Sequence, residues 1–323
     1  MENKNKKIRA AFIINPVAGG KDKTGVIEEI KKYIDKDIDY EIIFWEFKKQ
    51  KKAIRALLRE KGFDIAVAVG GDGTVNQVAK AVRYSDTALA IIPSGSGNGL
   101  ARHLNIPLNI KEAVELIGKG KEIYIDGCSI NGKTFFCTAG TGFDAYIGKL
   151  FAKSKNRGFA SYFKITVGSL LSYKPQKYSL NIDGKEVKVK AFLITFANSA
   201  QFGNDAYIAP QADIQDGFID VCILKPFKVW HIPGLAIKMF KKKFNESPLY
   251  DAYRGKEILV TRETEAPVHY DGEPKKMGTE LEIKIYPAAL KVIVPIAFPA
   301  KNTNEYFYEG TEVRGKFLAR VMS

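Results

Sequence analysis

A glycine-rich turn after a buried strand points most directly to chemistry. The apolar segment FDIAVAV ends in Gly70-Gly71-Asp72-Gly73-Thr74, and a helical pattern begins at once. Glycine lets the backbone approach an anion, and the N–H groups of the turn and of the helix start point at it. An acid there repels phosphate unless it meets Mg²⁺ or a proton, so Asp72 predicts a magnesium nucleotide. The simpler interpretation is a tight turn in which Asp72 or Thr74 caps the helix.

Two further loops accompany this turn. Residues 91–102 (IIPSGSGNGLAR) follow the next strand and offer backbone donors without bulk, and Arg102 is long enough to reach a phosphate. Residues 15–21 (NPVAGGK) follow the first strand. The sequence has no GxGxxG, no HRD and DFG pair and no GxSxG elbow. A nucleotide would therefore be held by a different arrangement.

Two pairs of carboxylates lie in later turns. Asp271 and Glu273 flank a glycine, and together with the N-terminal loops they are candidates for the base that takes a hydroxyl proton in phosphoryl transfer. Alone, this turn would be interpreted as a solvated hairpin tip. Asp213 and Asp216 lie among polar residues and suit a hard cation such as Mg²⁺. A surface turn with an Asx cap explains that second pair equally well.

The elements that would position these loops follow a regular alternation in the first 120 residues. Apolar runs at 8–15, 40–46, 63–69 and 88–92 predict strands, and the helical patterns lie at 23–36, 49–61, 74–83 and 110–119. This order is typical of βαβ units on a parallel sheet. Ligands bind such sheets at the carboxyl ends of the strands, so the three loops should form one crevice.

The pattern changes after about residue 121. The dipeptides Asn131-Gly132 and Asp183-Gly184 join pairs of strand-like segments and are strong hairpin signals. Further strands are predicted at 218–224, 257–261, 280–286 and 290–294, and helical insertions at 160–172 and 230–244. This is the pattern of an antiparallel domain of two packed sheets.

Composition limits the class of protein. The chain has 323 residues, 46% hydrophobic and 27% charged, and a formal net charge of +14. The length corresponds to about two domains, and no apolar run is long enough to predict a membrane-spanning helix. Three cysteines without CxxC spacing indicate a reducing compartment, so we expect a cytoplasmic protein. The positive charge predicts nucleic acid, a phosphorylated ligand or an acidic membrane as partner.

Two segments are basic and apolar at once. Residues 225–244 carry lysines together with Trp230, Phe240 and Phe244, and residues 149–174 have a similar composition of basic and apolar side chains. A helix of this kind can lie at an acidic lipid surface, and the second segment can line an acyl cleft. Helices packed on the sandwich with solvated lysines are an equally good interpretation.

The chain resembles the diacylglycerol kinase catalytic-domain family, which includes soluble bacterial lipid kinases and the sphingosine and ceramide kinases. The matching motifs follow the family's order over nearly the whole chain: Asn15-Pro16 with Gly19, GGDGTVN at 70–76, PSGSGN at 93–98, AR at 101–102, GTGFDA at 140–145, AP at 209–210, DGFIDV at 216–221 and DGE at 271–273. The fold that this implies is an α/β domain with a Rossmann-like parallel sheet and a C-terminal antiparallel β-sandwich, as in NAD kinase and diacylglycerol kinase.

The resemblance also implies roles for residues. ATP would be bound by Asn15, Pro16, Gly19, Gly70, Gly71, Asp72, Gly73, Thr74, Asn76, Ser96 and Asn98. Either Glu273 or Asp271 would lie near the acceptor hydroxyl, with Glu273 favoured by analogy, and Asp72 would organise Mg²⁺ and the phosphates. A structural Mg²⁺ would be held by Asp213, Asp216 and the backbone carbonyl of Phe218.

These observations predict a cytoplasmic, peripherally membrane-associated lipid kinase that uses ATP and Mg²⁺. The expected domains are an ATP-binding domain at 1–122, a lipid-binding sandwich at 123–297 and a tail at 298–323 packed on the first domain. The expected partner is a lipid such as diacylglycerol at an acidic membrane and not nucleic acid, and a homodimer is left open. The alternatives are an NAD kinase and a non-catalytic lipid- or nucleotide-sensing module.

Overall fold

The first part of the fold is a four-stranded parallel sheet with helices. The computed structural model describes residues 7–16, 24–46, 53–154, 159–170 and 172–299. Gly19 and nearly all of the tail, both of which carry predictions, lie outside these residues. The strands are β1 (Ile8–Ile14), β2 (Ile38–Phe44), β3 (Ile65–Gly70) and β4 (Ala88–Pro93). The helices are α1 (Thr24–Tyr33), α2 (Ala53–Lys61), α3 (Asp72–Val82), α4 (Gly99–His103) and α5 (Ile110–Lys119).

The parallel strands lie in the order β2-β1-β3-β4, as βαβ units require. Every residue of β3 and β4 is buried, because side chains on alternate positions point into separate apolar clusters on the two faces of the sheet. Phe298, at the start of the predicted tail, belongs to one of these clusters. Strands β3 and β4 are therefore continuous apolar runs in the sequence, which is why they could be predicted closely.

The second part is antiparallel. Its strands are β5 (Lys121–Ile130), β6 (Lys133–Phe135), β7 (Thr138–Gly142), β8 (Gln176–Ile182), β9 (Lys185–Ala191), β10 (Leu193–Ala197), β11 (Ile219–Leu224), β12 (Tyr250–Gly255), β13 (Glu257–Arg262), β14 (Ala266–Tyr270), β15 (Glu273–Met277) and β16 (Glu280–Val294). Six of them form one sheet in the order β12-β11-β10-β7-β14-β15. The hairpin turns Asn131-Gly132 and Asp183-Gly184 have positive φ at both residues, as two-residue turns of this type require.

Strand β16 joins the two parts of the molecule. It pairs with β13 and β5, and its far end touches β4 through Val292 and Leu89. The order of the larger sheet is therefore β2-β1-β3-β4-β16-β13-β8-β9, with β5 and β6 off this path. The sequence predicted two strands here, and that was wrong, because a register shift between Tyr286 and Leu290 takes up the extra residues without ending the pairing with β5.

The antiparallel part of the larger sheet packs on the six-stranded sheet. The core between them contains residues of both layers, such as Leu180 and Val260 from one and Phe196 and Val221 from the other. The predicted α/β domain followed by a β-sandwich is therefore the fold observed.

Three helices cover the outer face of the six-stranded sheet. They are α6 (Phe143–Lys153), α7 (Phe159–Ser169) and α8 (Ile232–Phe240). Helix α6 was not predicted, because it starts directly after β7 through Gly142, whose φ of 105° makes a turn that other residues rarely adopt. Within the described residues, none of the helices has both the length and the apolar character needed to cross a bilayer.

Candidate active site

Three loops begin side by side at one edge of the parallel sheet. Ile14 pairs with Val69, and Gly70 pairs with Pro93, so the ends of β1, β3 and β4 are level. Asn15 and the exposed Pro16 follow the first of these strands. The turn at 70–74 and the loop at 94–98 follow the other two. The arrangement is a crevice at the carboxyl ends of parallel strands, where ligands of such sheets bind.

Two of these loops touch through glycine backbones. A Cβ built on Gly95 would lie 2.5 Å from the Cα of Gly71, a separation that real side chains do not show. Ser94 N also donates a hydrogen bond of 2.8 Å to Gly70 O. The glycines at 71 and 95 are therefore needed for close packing of the two loops, whatever else they bind.

Asp72 ties the same two loops together. Its Oδ1 accepts a hydrogen bond from Gly99 N at 2.6 Å, and its Oδ2 accepts one from Asn98 N at 3.0 Å. The carboxylate thus caps the short helix α4 and fixes the end of the second loop. The role predicted for Asp72 toward Mg²⁺ stays a prediction beside this observed one.

The second loop is braced from within and leaves Ser96 at its surface. Asn98 has a φ of 53°, and its side chain bonds both the N–H and the carbonyl of Gly95 at 3.0 Å. Arg102 Nε donates to Gly97 O at 3.1 Å, and its guanidinium contacts Asp205 at 3.1 Å. Arg102 is thus engaged by the protein, whereas Ser96 is exposed.

The first turns of α3 hold Gly73, Thr74 and Asn76. In the part of the chain that the structure describes, Thr74 Oγ1 and Asn76 Oδ1 are buried and have no hydrogen-bond partner. Such an unpaired oxygen costs about 1–3 kcal/mol, so a donor from water or a ligand would stabilise the structure here. The other end of the Asn76 amide is engaged, because its Nδ2 donates to Asp271 Oδ2.

Asp271 is enclosed by donors. Besides Asn76, the backbone N–H groups of Phe136 and Cys137 donate to its carboxylate at 2.8 Å, and that of Thr138 does so at 3.2 Å. Burial raises the pKa of Asp271, while these hydrogen bonds and the charge of Lys80 act in the opposite direction. A carboxylate with four donors holds the turn in place and has little capacity left to take a substrate proton.

Glu273 is the more accessible carboxylate of the pair. It lies opposite Tyr270 across the β14–β15 hairpin and is partly exposed. Gln77 Nε2 lies 3.4 Å from its Oε1. Helix α3 therefore contacts both acids, Asp271 through Asn76 and Glu273 through Gln77, and so it brings the acidic turn to the edge of the nucleotide loops.

Lys80 adds a positive charge to this cluster. Its ammonium lies 5.3 Å from the centre of the Tyr270 ring. Burial lowers the pKa of Lys80, and the charges of Glu273 and Asp271 oppose that shift. Helix α3 thus presents the amides of Asn76 and Gln77 and the ammonium of Lys80 to the hairpin that carries both acids.

A histidine and an aspartate form a second polar cluster. His269 Nε2 lies 2.9 Å from Asp144 Oδ2, and both side chains are about nine-tenths buried. Thr195 Oγ1 donates to the same oxygen at 3.4 Å. The exposed ring of Phe202 lies 6.2 Å from the His269 ring. This cluster lies on β14 immediately before Tyr270, next to the acidic turn.

The loop around Asp213 and Asp216 lies apart from this cluster. Each of the two carboxylates accepts a backbone N–H two residues on, from Gln215 and Phe218 at 3.0 Å. Asp216 also forms an ion pair with Arg254, which lies 3.4 Å from Asp220. No group of three or more His, Cys, Asp or Glu side chains with metal-holding geometry occurs among the described residues.

Two buried carboxylates surround this loop. Burial raises the pKa of Asp126 to about 7, with the charges of Asp216 and Asp213 adding to the shift. Burial likewise raises the pKa of Asp220 to about 6, against the charge of Arg254. Asp220 Oδ2 is buried, and the described structure contains no hydrogen-bond partner for it. The region therefore has an excess of negative charge, which Arg254 neutralises in part.

A cavity of about 300 Å³ opens between α6, residues 172–174 after α7, and the strands β8 and β14. Its walls are largely apolar, and Tyr146, Tyr173 and Tyr178 contribute three aromatic rings. Ala266 on β14 lines it, and Ala266 is four residues before Tyr270 on the same strand. The cavity is thus about 13 Å from the acidic turn, at 3.3 Å per strand residue.

Comparisons with known proteins identify the family. A profile described as diacylglycerol kinase catalytic domain matches residues 9–130, and one described as YegS C-terminal NAD kinase beta sandwich-like domain matches residues 137–294. A diacylglycerol kinase of Mycobacterium tuberculosis (strain ATCC 25618 / H37Rv) is 30% identical over 246 residues, which are 73% of this chain and 78% of that protein. The chain belongs to the diacylglycerol kinase family. The resemblance that the motifs indicated is confirmed.

Further members of the diacylglycerol kinase family match over most of their length. A probable YegS-like lipid kinase of Yersinia pestis (strain Pestoides F) is 26% identical over 280 residues, 84% of this chain and 92% of that protein. The crystal structure of a putative diacylglycerol kinase from Bacillus anthracis str. Sterne covers 90% of this chain and 98% of its own, with a TM-score of 0.72 and 23% identity. That likeness confirms the fold.

Several residues of the site in this diacylglycerol kinase family member were not found from the sequence. Lys80 comes four residues after Asn76 and three after Gln77, and this helical spacing was the available signal that Lys80 lies beside the two amides. His269 and Asp144 are 125 positions apart, so nothing local indicates that they meet. Arg254 lies on the edge strand β12, whose pairing with β11 could not be inferred from its own pattern.

Proposed function

We propose that the protein is an ATP-dependent lipid kinase. It transfers the γ-phosphate of ATP to the hydroxyl of a membrane lipid, diacylglycerol or a related long-chain alcohol, and with diacylglycerol the product is phosphatidic acid. The observation that carries this proposal is the hydrogen bond from Asn76 to Asp271. It joins the helix that begins at the glycine-rich turn to the hairpin that bears Glu273, so a base and a phosphate cradle lie in one crevice.

The nucleotide would lie across the three loops. Backbone N–H groups at the start of α3 would donate to an anion at this edge, as in other phosphate sites at helix N-termini, although Thr74 N itself donates to Gly71 O. Asn15 and Pro16 would border the nucleotide on one side, and the exposed Ser96 and the braced Asn98 on the other. Gly19, also expected to contact it, lies outside the described residues.

Glu273 is the proposed base. The oxygen of the acceptor hydroxyl forms a bond to the γ-phosphorus, the bond from that phosphorus to the β–γ bridging oxygen breaks, and ADP leaves. The hydroxyl proton goes to Glu273, whose carboxylate Gln77 holds. Asp271 keeps the hairpin fixed and is a positioning residue. Lys80 supplies positive charge beside the acids.

Two Mg²⁺ sites are part of the proposal. Each oxygen of Asp72 accepts one backbone N–H, which leaves a lone pair on each for a cation at the phosphates. Asp213, Asp216 and the carbonyl of Phe218 would hold a structural ion, and the unpartnered buried oxygen of Asp220 fits a hard cation nearby. At the phosphates the ion would neutralise charge that develops during transfer.

The acceptor's acyl chain would enter the tyrosine-lined cavity. The cavity is largely apolar, and one of its lining residues is Ala266 on β14, the strand that leads to the acidic turn. A lipid with its hydroxyl at Glu273 can therefore extend along β14 toward Ala266. A cytoplasmic protein that binds the membrane peripherally fits an acceptor of this kind. No nucleic acid partner is proposed, because the site consists of loops and a lipid-sized cavity.

The test is phosphate transfer from labelled ATP with Mg²⁺ to lipids in mixed micelles. We expect label on a long-chain lipid alcohol, and we expect Glu273→Gln to lower the transfer rate at least about a hundredfold while the matched surface variant Glu263→Gln does not. Label on NAD would support the NAD kinase alternative. Binding of ATP and lipid without transfer to any acceptor would support a sensing module and overturn the proposal.

A further inference from the structure

Helix α8 and the turn before it expose large apolar side chains. Trp230 is 70% exposed, Ile237 and Phe240 are each 56% exposed, and Val229 is 53% exposed. These four residues are called the α8 patch below. Exposed large apolar groups cost free energy in water, and several together on one element mark a surface that has a partner.

The surroundings of the α8 patch are basic. Residues 225–244 contain six lysines and no acidic residue. Lys225 is paired with Asp251 and Lys243 with Glu246. The ammonium of Lys228 lies 4.9 Å from the Trp230 ring, and Lys241 is exposed at the end of α8. Apolar side chains surrounded by lysines are complementary to an anionic bilayer, whose headgroups are negatively charged and whose acyl chains beneath them are apolar.

The α8 patch lies on the same side of the molecule as the candidate lipid cavity. The buried side of α8, with Leu235 and Met239, belongs to the apolar cluster that also contains Phe143 and Ile147 of α6. Both helices therefore cover one face of the six-stranded sheet, and the cavity is lined by Tyr146 of α6 and by Tyr173, which packs on Phe143.

A short segment also connects α8 to the phosphate loops. Tyr207 N donates to Met239 O at 3.2 Å, and Lys242 lies 4.5 Å from the Tyr207 ring. At the other end of this segment, Gly203 lies against Gly97, and Phe202 against His269. Residues 201–207 thus span the distance between the α8 patch and the crevice.

We propose that the α8 patch is the surface by which the protein docks on a bilayer with anionic headgroups. Trp230 and Phe240 enter the boundary between headgroups and acyl chains, and Lys228 and Lys241 contact the headgroups. The inference rests on the proposed function in one respect. If the acceptor is a membrane lipid, docking through the α8 patch would turn the lipid cavity toward the membrane that contains the acceptor. A second copy of the chain is a poorer occupant, since two such patches would bring their lysines together.

Tryptophan fluorescence of the unmodified chain can report this docking. Of its two tryptophans, Trp45 is 7% exposed and Trp230 is 70% exposed. Trp230 should therefore dominate any change of emission on transfer from water to lipid. Vesicles of phosphatidylcholine with phosphatidylserine, free of acceptor lipid and without ATP, should shift the emission to shorter wavelength and quench it when the lipid chains are brominated. Vesicles of phosphatidylcholine alone should do so far less, and Trp230→Phe should remove the signal but keep binding.

Co-sedimentation with the same vesicles tests the residues. We expect Trp230→Ser with Phe240→Ser to weaken vesicle binding at least about tenfold, from the loss of two aromatic side chains. The matched control is Leu259→Ser, an exposed apolar residue on β13. We expect Lys228→Gln with Lys241→Gln to weaken binding roughly twenty-five-fold, at about fivefold per lysine. Lys188→Gln with Lys190→Gln on β9 is the control of equal charge, and thermal unfolding should show all four variants to be folded.

The outcomes separate docking from catalysis. Equal vesicle binding by wild type and both α8 variants, or unchanged Trp230 emission, would overturn the docking proposal even if the kinase assay succeeds. A concentration-dependent dimer that the α8 variants abolish would assign the patch to a second copy instead. If docking is correct, the α8 variants should keep their activity on a short-chain acceptor dispersed without bilayers. Failure of that short-chain assay in the wild type would count against the proposed kinase and not against docking.

Discussion

Asn76 on helix α3 donates a hydrogen bond to Asp271, 195 positions later in the chain, and Gln77 beside it reaches Glu273. The two neighbouring amides thus contact the two acids of one hairpin. Asp271 is held by four donors, whereas Glu273 is partly exposed and has two side-chain contacts, with Gln77 at 3.4 Å and with the Tyr270 hydroxyl. This asymmetry gives the two carboxylates different roles, one in structure and one in chemistry.

Substitution of each acid should separate these roles. Asp271→Asn places an amide among four donors, so we expect the free energy of unfolding to fall by at least about 2 kcal/mol, with loss of activity. Glu273→Gln should change stability by no more than about 0.5 kcal/mol and lower kcat roughly 10²- to 10⁴-fold. Urea unfolding and kinase rates on both proteins are the measurements. An unstable Glu273→Gln, or an active Asp271→Asn, would reverse the assignment.

The glycine contact between the two phosphate loops should be sensitive to a single methyl group. In Gly95→Ala the new Cβ meets Gly71, so we expect a loss of about 1–3 kcal/mol in stability and weaker ATP binding. Gly73→Ala is the comparison, because its Cβ would meet nothing within 4 Å and the residue is helical. That variant should be more stable by about 0.5–1 kcal/mol.

Calorimetric ATP titration of the two glycine variants distinguishes packing from ligand approach. If Gly73→Ala binds ATP weakly although it is stable, the nucleotide approaches the backbone at that position. Normal stability of Gly95→Ala would contradict the close contact between the loops.

The sequence predicted those parts of the molecule that depend on local pattern. Strands β3 and β4 are apolar at every position, and Asn131-Gly132 and Asp183-Gly184 are turns that few other dipeptides form, so these elements lie close to where they were expected. The union of 280–294 into one strand depends on pairing with β5, some 150 positions away, and this was missed.

The candidate site likewise has parts that local sequence patterns predicted and parts that depend on contacts between distant segments. The three loops could be assigned to one crevice, because each follows a strand of one parallel sheet. Whether Asp271 or Glu273 is enclosed depends on three backbone N–H groups of residues 136–138, which only the folded chain brings to the turn. The cluster of His269 and Asp144 could not be predicted for the same reason.

His103 should make stability depend on pH. Burial lowers its pKa to about 4, and its ring accepts a hydrogen bond from Ala200 N in the neutral form. In the unfolded chain the imidazole has a pKa of about 6.5 and binds the proton more readily, so this stability is complete above about pH 6.5 and is lost as pH falls toward 4. The full shift corresponds to about 3 kcal/mol, and the ring's partial exposure reduces that value.

The measurement for His103 is urea unfolding from pH 7.5 to 4.5, for wild type and for His103→Gln, which keeps an acceptor for Ala200 N. We expect the wild type to lose more stability than the variant over this range. Parallel curves for the two proteins would show that His103 is protonated equally in the folded and unfolded states.

Arg254 should limit Mg²⁺ binding at the Asp213 loop. Its guanidinium is paired with Asp216 and lies near Asp220, where the proposed structural ion would bind. In Arg254→Gln the carboxylates lose that charge, so added Mg²⁺ should stabilise the variant more than the wild type. The gain should be about 1–3 kcal/mol at ten to a hundred times the Kd, and a chelator should reverse it.

Lys225→Gln is the control for Arg254→Gln, because it breaks an exposed ion pair with Asp251 elsewhere on the same sheet. Thermal unfolding with and without Mg²⁺ is the measurement. The same response to Mg²⁺ in both variants and in the wild type would mean that Arg254 does not compete with the ion, and no response in any of them would remove the structural metal from the proposal.

The cavity beside β14 should select for acyl chains. Ala266→Phe would fill part of its 300 Å³ without touching the acidic turn, four residues further along the strand. We expect kcat/KM to fall roughly tenfold for a long-chain acceptor and to stay unchanged for a short-chain one, because a filled pocket excludes methylene groups. Leu259→Phe, on an exposed strand position, is the control. An equal loss for both acceptors would place the effect on the catalytic turn, and no loss for either would mean that the acyl chain lies elsewhere.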